Sequence, residues 1–264
     1  MTNSVFLGPL KWYFCRARPI FMSDTVIIIP TYNEIENVEA IIRAVFDLQK
    51  AYHILIVDDN SPDGTSDTVR ALQKEFSDRL HLEVRKGKSG LGTAYIHGFK
   101  WALEKSYGYI IEMDADFSHR PVYLKGLYEA CALKGADVSV GSRYKKGVNV
   151  VNWPLYRILL SYGASFYVKI ITGMRVHDPT AGFVCYKREV LQSLNLDAVR
   201  FVGYAFQIEM KFRAHLKKFK IVEVPIIFTD REKGKSKMSG SIISEAVFGV
   251  IRMKLGSIFK KDSF

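Results

Sequence analysis

Two carboxylates separated by a single residue stand directly after a largely hydrophobic run in this 264-residue chain. They are Asp114 and Asp116, and the run before them, 109–113, has the composition of a buried strand. Carboxylates at this spacing can bind one hard divalent cation, Mg²⁺ or Mn²⁺, together with the diphosphate that such a cation carries. The alternative is a solvated turn, because Asp-x-Asp occurs often by chance. The position behind a strand favours the metal site.

A second pair of carboxylates, Asp58 and Asp59, follows the hydrophobic run 53–57. One of them can accept hydrogen bonds from the donor edge of a nucleobase. The other can stabilise the turn that leads to a helix starting at Thr65. We predict that Asp59 contacts the base and that Asp58 has the structural role.

Three basic residues are candidates for phosphate contacts. Arg143 comes just after the predicted strand 138–140, whereas Arg231 and Lys237 lie in a glycine-containing basic loop after the last predicted strand. Arginine binds phosphate through two parallel hydrogen bonds and lysine acts as a point charge. Each residue alone could be a solvated surface charge, but the loop as a group favours phosphate binding.

The segment from Gly90 to Tyr95 begins like a dinucleotide-binding fingerprint. However, Tyr95 stands where the third glycine should be, and the segment follows the third predicted strand instead of the first. We therefore reject NAD binding and expect a tight loop that lets the backbone approach a ligand.

Other polar residues carry weaker signals. The six histidines lack metal-ligand spacing and are predicted to be structural, with His119 nearest to the aspartate pair. Gln207 and Glu209 either line the pocket from a helix or are ordinary polar residues of that helix.

These residues are positioned by an alternation of short hydrophobic strands and longer amphipathic helices. Continuous apolar strands connected by helices predict an α/β fold with a mostly parallel sheet covered on both faces. Ligands bind such sheets at the carboxyl ends of the strands. The polar segments collect at those predicted ends: 30–34, 58–59, 114–116 and 141–143.

Beyond residue 145 the pattern predicts long helices at 156–172 and 203–216 and a strand at 221–228 that Pro225 interrupts. We expect three parts in the chain. Residues 1–24 form an N-terminal extension, either disordered or upstream of a true start at Met22. Residues 25–238 form the main domain, and 239–264 form a basic amphipathic helix.

Composition excludes several classes of protein. The 13% aromatic content excludes disorder, and the uncharged stretches are too short to cross a bilayer. Three cysteines without C-x-x-C spacing indicate neither a disulfide framework nor a zinc site. The net charge is +11, of which residues 1–21 hold +3 and residues 231–261 hold +6. Charge concentrated at the ends favours an anionic surface or substrate over a protein that coats nucleic acid.

Taken together, these segments resemble the family 2 glycosyltransferases with the GT-A fold, in particular the short dolichol-phosphate (polyprenol-phosphate) mannosyltransferases without membrane-spanning helices. The resemblance covers roughly Thr25 to Ser241, and the matching segments run in family order. They are 30–34, 58–65, 90–98, 113–119, 141–144, 203–210 and 224–237.

The resemblance implies a nucleotide-sugar donor such as GDP-mannose and a role for each matching residue. The nucleoside would be held by Pro30, Tyr32, Glu34, Val57 and Asp59. The sugar diphosphate and the metal, Mg²⁺ or Mn²⁺, would be held by Asp114, Ala115 and Asp116. The donor and acceptor phosphates would meet Arg143, Arg231 and Lys237. Asp116 and Arg143 would be the catalytic residues. Some relatives have a glutamine metal ligand where this chain has Ser118.

The reaction implied is inverting transfer of mannose to a polyprenyl phosphate at the cytoplasmic face of a membrane, by a peripheral enzyme with a possible membrane-anchor subunit. One alternative is the same transfer from another donor such as UDP-glucose. Another is a nucleotide-sugar-binding protein without turnover. Nucleic acid is not an expected partner.

Overall fold

The computed structural model describes residues 23–203, 205–230 and 240–259. Two of the predicted phosphate contacts, Arg231 and Lys237, lie outside the described residues, as do residues 1–22 of the predicted N-terminal extension.

Seven strands form one sheet with the order β3-β2-β1-β4-β7-β5-β8. All of its strands are parallel except β7, which runs antiparallel to both β4 and β5. A mostly parallel sheet is therefore confirmed, although the antiparallel strand was not expected. The strands are β1 (Thr25–Thr31), β2 (His53–Asp58), β3 (Leu80–Val84), β4 (Tyr109–Glu112), β5 (Val138–Ser142), β7 (Val184–Lys187) and β8 (Ile221–Pro225), and a separate parallel pair is formed by β6 (Val150–Val151) and β9 (Phe228–Thr229).

Helices cover both faces of the sheet. Alternate residues of β1 point to opposite faces, so Ile27 packs with helices α1, α2 and α4, whereas Ile28 packs with α3, α6 and α7. All of these side chains are removed from water, and this burial is the main stabilising contribution to the fold. The helices are α1 (Val38–Phe46), α2 (Thr65–Gln73), α3 (Leu91–Glu104), α4 (Leu124–Ala132), α5 (Leu155–Thr172), α6 (Arg188–Ser193), α7 (Ala205–Leu216) and α8 (Gly240–Phe259).

The start of α3 explains the glycines of the 90–95 segment. Gly90 has a φ of +99°, which favours glycine. A methyl group at Gly92 would lie 2.7 Å from the carbonyl oxygen of Phe201 and 2.8 Å from the ring of Phe206. At Gly92 the backbone therefore packs closely against Phe201 and Phe206 of the protein itself.

A third cluster of buried side chains joins α5, α7 and α8. It includes Val168 from α5, Phe212 from α7 and Val250 from α8. The predicted helix at 156–172 is thus confirmed to within one residue at each end. The predicted helix at 239–264 is described as α8 from Gly240 to Phe259, and residues 260–264 lie outside the described residues. In the described part of the chain, no helix is both long enough and apolar enough to cross a bilayer.

Candidate active site

Six strands end at the same edge of the sheet, where the sequence-predicted site residues that the structure describes collect. The register pairs Pro30 with Val57 and Thr31 with Asp58, so the ends of β1 and β2 are side by side. β4 lies on the other side of β1 and leads directly to Asp114. The structure therefore brings together the predicted nucleoside and diphosphate residues at the carboxyl ends of the strands, where parallel sheets bind ligands.

Asp58 has the structural role that was predicted for it. Its carboxylate is fully buried and accepts hydrogen bonds from the hydroxyls of Thr31 (2.7 Å), Ser61 (2.6 Å) and Ser66 (2.7 Å). It also accepts one from the backbone N–H of Ser61 at 2.8 Å. These bonds satisfy the buried charge and fix the loop between β2 and α2.

Asp59 is paired with Arg85, a residue that the sequence analysis did not single out. The Arg85 Nε donates to Asp59 Oδ1 at 2.6 Å, and its Nη1 donates to the Thr93 hydroxyl at 2.8 Å. Both members of the pair are largely buried. The only indication of its role in the sequence is that Arg85 is a basic residue directly after β3. The Arg85 guanidinium thus holds the carboxylate of Asp59, the residue predicted to contact the base.

The other predicted nucleoside residues surround this pair. Tyr32 has the Lys88 ammonium 4.8 Å from the centre of its ring, a cation–π contact. The backbone N–H of Glu34 donates to the Thr65 hydroxyl at 3.1 Å. The side chain of Val57 is fully buried in the core beneath α3, so its backbone is the part that faces the end of the strand.

The two carboxylates of the Asp-x-Asp segment leave the core in a tight turn. Phe117 has a φ of +60°, and Asp116 Oδ1 accepts from the backbone N–H of Ser118 at 3.1 Å. Asp114 Oδ1 accepts from the Tyr95 hydroxyl at 3.2 Å. Between them the Ala115 side chain is buried in the core. The turn is therefore anchored by apolar packing while both carboxylates remain at the edge of the sheet.

His119 is buried beside this turn and contacts its backbone. Its Nδ1 accepts a hydrogen bond from the backbone N–H of Asp114 at 3.2 Å, and its ring stacks on Phe183 at 5.0 Å between centroids. Burial lowers the pKa of His119. A neutral imidazole with an unprotonated Nδ1 matches this hydrogen bond. His119 was identified only by its nearness to the aspartates, and the structure shows that it holds the backbone of one of them.

The donor set at this turn fits Mg²⁺ or Mn²⁺. Asp114 and Asp116 supply oxygen atoms, the ligand type that both cations prefer. Among the residues that the structure describes, no three His, Cys, Asp or Glu side chains converge to hold a metal by themselves. The two carboxylates thus fit a cation whose other ligands are water and phosphate oxygens. Such a cation keeps waters and substrate phosphates when it binds few protein carboxylates.

Arg143 lies beside this turn and is held on several sides. Its guanidinium forms an ion pair with Asp178 at 2.6 Å and donates to the Thr180 hydroxyl at 2.7 Å. Its Cζ is 5.5 Å from the centre of the Phe228 ring, and the same ring contacts His119 at 5.7 Å. One aromatic side chain therefore separates the predicted phosphate-binding arginine from the residue that supports Asp114.

Gln207 and Glu209 are buried inside α7. Glu209 Oε1 accepts from Arg213 at 2.7 and 2.9 Å, and its Oε2 accepts the backbone N–H groups of Arg200 and Phe201. Glu209 therefore has a structural role and does not line the pocket. Gln207 Oε1 accepts from the Lys211 ammonium at 3.3 Å.

Comparison with known proteins agrees with this geometry. The sequence model of the family described as Glycosyl transferase family 2 matches residues 26–194. Polyprenol monophosphomannose synthase from Mycolicibacterium smegmatis is 49% identical over 226 residues, which cover 86% of this chain and 85% of that protein. Undecaprenyl-phosphate mannosyltransferase from Micrococcus luteus is 44% identical over 230 residues, which cover 87% of this chain and 93% of that protein.

Solved structures share the fold at much lower identity. Glucosyl-3-phosphoglycerate synthase from Mycobacterium tuberculosis, in complex with Mn²⁺, UDP and glucosyl-3-phosphoglycerate, has a TM-score of 0.62 at 15% identity; 88% of this chain and 78% of that chain are covered. A mannosyltransferase from Pyrobaculum calidifontis, in complex with GDP-mannose and Mn²⁺, has a TM-score of 0.56 at 14% identity; the coverage is 91% and 75%. The expected GT-A fold is thereby confirmed. The matching family model and the two similar sequences show that this chain belongs to glycosyl transferase family 2 and is a glycosyltransferase.

Proposed function

We propose that this enzyme transfers mannose from GDP-mannose to a polyprenyl phosphate, with inversion at the sugar carbon, and releases GDP. The observation that carries this proposal is the grouping of Asp114, Asp116 and Arg143 at one edge of the sheet around His119. The names of the two similar sequences, 49% and 44% identical, support the sugar and the acceptor. The mannosyltransferase that binds GDP-mannose and Mn²⁺ shares the fold and supports the donor class.

The residues at the end of β1 and β2 would hold the nucleoside. Tyr32 offers a ring face for a base, and Asp59 offers a carboxylate that Arg85 orients. The backbones of Pro30 and Val57 would line the bottom of the nucleoside site, and Glu34 would lie near the ribose. A buried carboxylate fixed by a cation presents its acceptor atoms in one direction, which is suited to reading the donor edge of a base.

The diphosphate would lie over the Asp-x-Asp turn. Asp114 and Asp116 would hold the divalent cation, which offsets the negative charge of the departing diphosphate. Arg143 would approach the phosphates from the other side of Phe228, with Arg231 and Lys237 adding positive charge from the basic loop. The acceptor phosphate is already anionic at neutral pH, so its attack needs positioning and charge neutralisation more than a strong base.

The face of α5 supports a membrane location for the acceptor. This helix contains no acidic residue, and its charged side chains are Arg157 and Lys169. Tyr162, near the middle of the helix, contacts the ring of Tyr144, next to Arg143, so this part of α5 lies close to the proposed phosphate site. A contiguous exposed apolar face with basic residues is typical of helices that lie at a membrane surface. Its apolar side chains, each more than half exposed, are Leu155, Tyr156, Leu159, Leu160, Tyr162, Phe166 and Ile170.

A panel of donors and acceptors tests the reaction. Purified enzyme with Mg²⁺ or Mn²⁺ is incubated with GDP-mannose, UDP-glucose or other nucleotide sugars, and with undecaprenyl or dolichyl phosphate. We expect a lipid-linked product from GDP-mannose. A product from UDP-glucose alone would contradict the proposed donor, and no lipid-linked product from any donor would contradict the proposed reaction.

Vesicle binding tests the role of α5 separately. Leu160→Glu places a charge in the exposed apolar face and removes a leucine that would enter the lipid, a change of about 1.5–3 kcal/mol or roughly tenfold or more in partitioning. Leu133→Glu is the matched control, because Leu133 is also more than half exposed but lies at the end of α4, just before β5 begins at the opposite end of the parallel strands. Sedimentation with vesicles of phosphatidylcholine and phosphatidylglycerol measures the binding. Equal vesicle binding by the two variants would refute the proposal that α5 contacts the membrane surface.

A further inference from the structure

A group of buried charged side chains lies behind Arg143. It contains three carboxylates and one ammonium, each of which belongs to a residue that is buried or nearly so. Buried charges are tolerated only when they are paired and hydrogen-bonded, so their arrangement points to a role. The four residues are Glu112, Asp178, Lys211 and Glu223.

Asp178 binds both the backbone and the guanidinium of Arg143. Its Oδ2 accepts from the backbone N–H of Arg143 at 2.9 Å and from the Nε of the guanidinium at 2.7 Å. Its Oδ1 accepts from Nη2 at 2.6 Å, and Thr180 accepts from the same nitrogen at 2.7 Å. A carboxylate bonded to both the backbone and the side-chain end of an arginine fixes the torsion angles between them.

Asp178 is itself held from both sides. Glu223 Oε1 accepts the backbone N–H groups of His177 and Asp178 at 2.9 and 3.0 Å. At the other end of the loop, the Lys211 ammonium donates to the carbonyl of Ala181 at 2.6 Å. The loop that carries Asp178 is therefore tied to β8 on one side and to α7 on the other.

The charge of Asp178 is paired with that of Arg143. Burial alone would raise the pKa of Asp178, but the Arg143 guanidinium and its hydrogen bonds lower it below the ordinary value. Asp178 therefore remains ionised opposite Arg143. This pairing offsets part of the positive charge of Arg143, so it weakens the long-range attraction for phosphate. What it provides is a fixed direction for the guanidinium.

We propose that Asp178 is a positioning residue, which fixes the Arg143 guanidinium in the direction from which it binds a substrate phosphate. The inference rests on the proposed function, because the phosphate contact of Arg143 belongs to it. A guanidinium has five N–H donors in a planar fork. Asp178 and Thr180 accept from Nε and Nη2, so a substrate phosphate would accept from Nη1. An arginine that is ordered before the substrate arrives loses less conformational entropy on binding and needs no reorganisation during the reaction.

A double-mutant cycle tests this inference. Asp178→Asn keeps the shape of the side chain and removes its charge, and Arg143→Met removes the group on which it acts. We measure the Kd of GDP with Mn²⁺ by calorimetry and kcat/KM for polyprenyl phosphate, with thermal unfolding as a check of folding. In the parent enzyme, Asp178→Asn is expected to weaken one or both quantities by roughly 10- to 100-fold, the range for a hydrogen bond to a charged group. In the Arg143→Met background it is expected to change them by less than about twofold.

The matched control is the second buried arginine–carboxylate pair, Arg213 with Glu209. Glu209→Gln also removes one charge from a fully buried pair, but the partners of Glu209 are Arg213 and the backbone N–H groups of Arg200 and Phe201. If Asp178→Asn acts only by loosening the fold, it lowers kcat/KM by the same factor in both Arg143 backgrounds, as Glu209→Gln would. That result, or a folded Asp178→Asn enzyme with unchanged kinetics and GDP affinity, would overturn the proposal.

A milder variant keeps the test decisive if Asp178→Asn does not fold. Thr180→Val preserves the Asp178 charge and removes the second acceptor of Arg143 Nη2. It is expected to lower the same quantities by about 3- to 10-fold, and only when Arg143 is present. Failure of the proposed function is recognised separately. In that case the parent enzyme gives no lipid-linked product, and the calorimetric cycle with GDP still decides the role of Asp178.

Discussion

The packing of α3 on β1 predicts opposite effects for the same substitution at two helical glycines. Gly98 lies in α3 above Ile28, and a methyl group there would be 2.6 Å from Cγ2 and 3.0 Å from Cδ1 of that isoleucine. Cγ2 is bonded directly to Cβ, and Ile28 is fully buried, so relief requires movement of β1 itself. Overpacking of this kind costs about 1–3 kcal/mol. Because the contact with Ile28 is so short, we expect the overpacking cost of Gly98→Ala to be about 3 kcal/mol.

A gain in helix propensity of about 1 kcal/mol partly offsets this loss. The net expectation for Gly98→Ala is therefore a decrease of about 2 kcal/mol in the free energy of unfolding. Gly163 provides the matched control, because it lies inside α5 with no atom within 4 Å of the added methyl group. Gly163→Ala should raise the free energy of unfolding by about 0.5–1 kcal/mol.

Urea unfolding of the parent and the two variants measures the difference, which should be close to 3 kcal/mol between the variants. If Gly98→Ala stabilised the protein as much as Gly163→Ala, the close packing of α3 on β1 would be refuted. Since β1 leads to the predicted nucleoside residues, Gly98→Ala should also weaken GDP binding, whereas Gly163→Ala should leave it unchanged.

Three further outcomes are expected. Asp116→Asn should abolish Mn²⁺ binding in calorimetry and turnover in the donor assay with no fall in Tm; Mn²⁺ affinity equal to that of the parent would exclude a metal role. His119→Phe retains the stack on Phe183 but cannot accept the Asp114 N–H, so kcat/KM should fall roughly 10- to 100-fold. Burial lowers the pKa of His53 from 6.5 to about 4, so the unfolded chain takes up the proton first as the pH falls. Between pH 6.5 and 4 the parent should lose about 1–2 kcal/mol through this partly buried ring, and His53→Gln should flatten that part of the stability–pH curve.

The strands that carry the site were predictable because each is a short apolar run bounded by turn residues. β1, β2 and β5 show this pattern, and their polar carboxyl ends indicate the position of the site from the sequence alone. β7 did not show it. Val184 to Lys187 is followed at once by α6, so no turn residues mark the end of the strand in the sequence.

Long-range pairing explains most of what the sequence analysis missed. Arg85 is 26 residues from Asp59, and nothing in the local pattern joins the two. The same holds for Arg143 and Asp178, which are 35 residues apart. Spacing in the sequence reveals ligands that share one turn, such as Asp114 and Asp116. Partners from different strands are found only when the order of the strands is known.

The antiparallel direction of β7 explains how Asp178 reaches Arg143. β7 lies between β4 and β5, both of which end at the active edge of the sheet. Because β7 runs the opposite way, its first residue lies at that edge, and the loop of residues 178–183 enters the sheet beside the end of β5. If this strand were parallel to its neighbours, the loop before it would lie at the opposite end of the strands, away from Arg143. The reversal of one strand therefore supplies the carboxylate that fixes the arginine, while the parallel strands around it supply the nucleoside and metal residues.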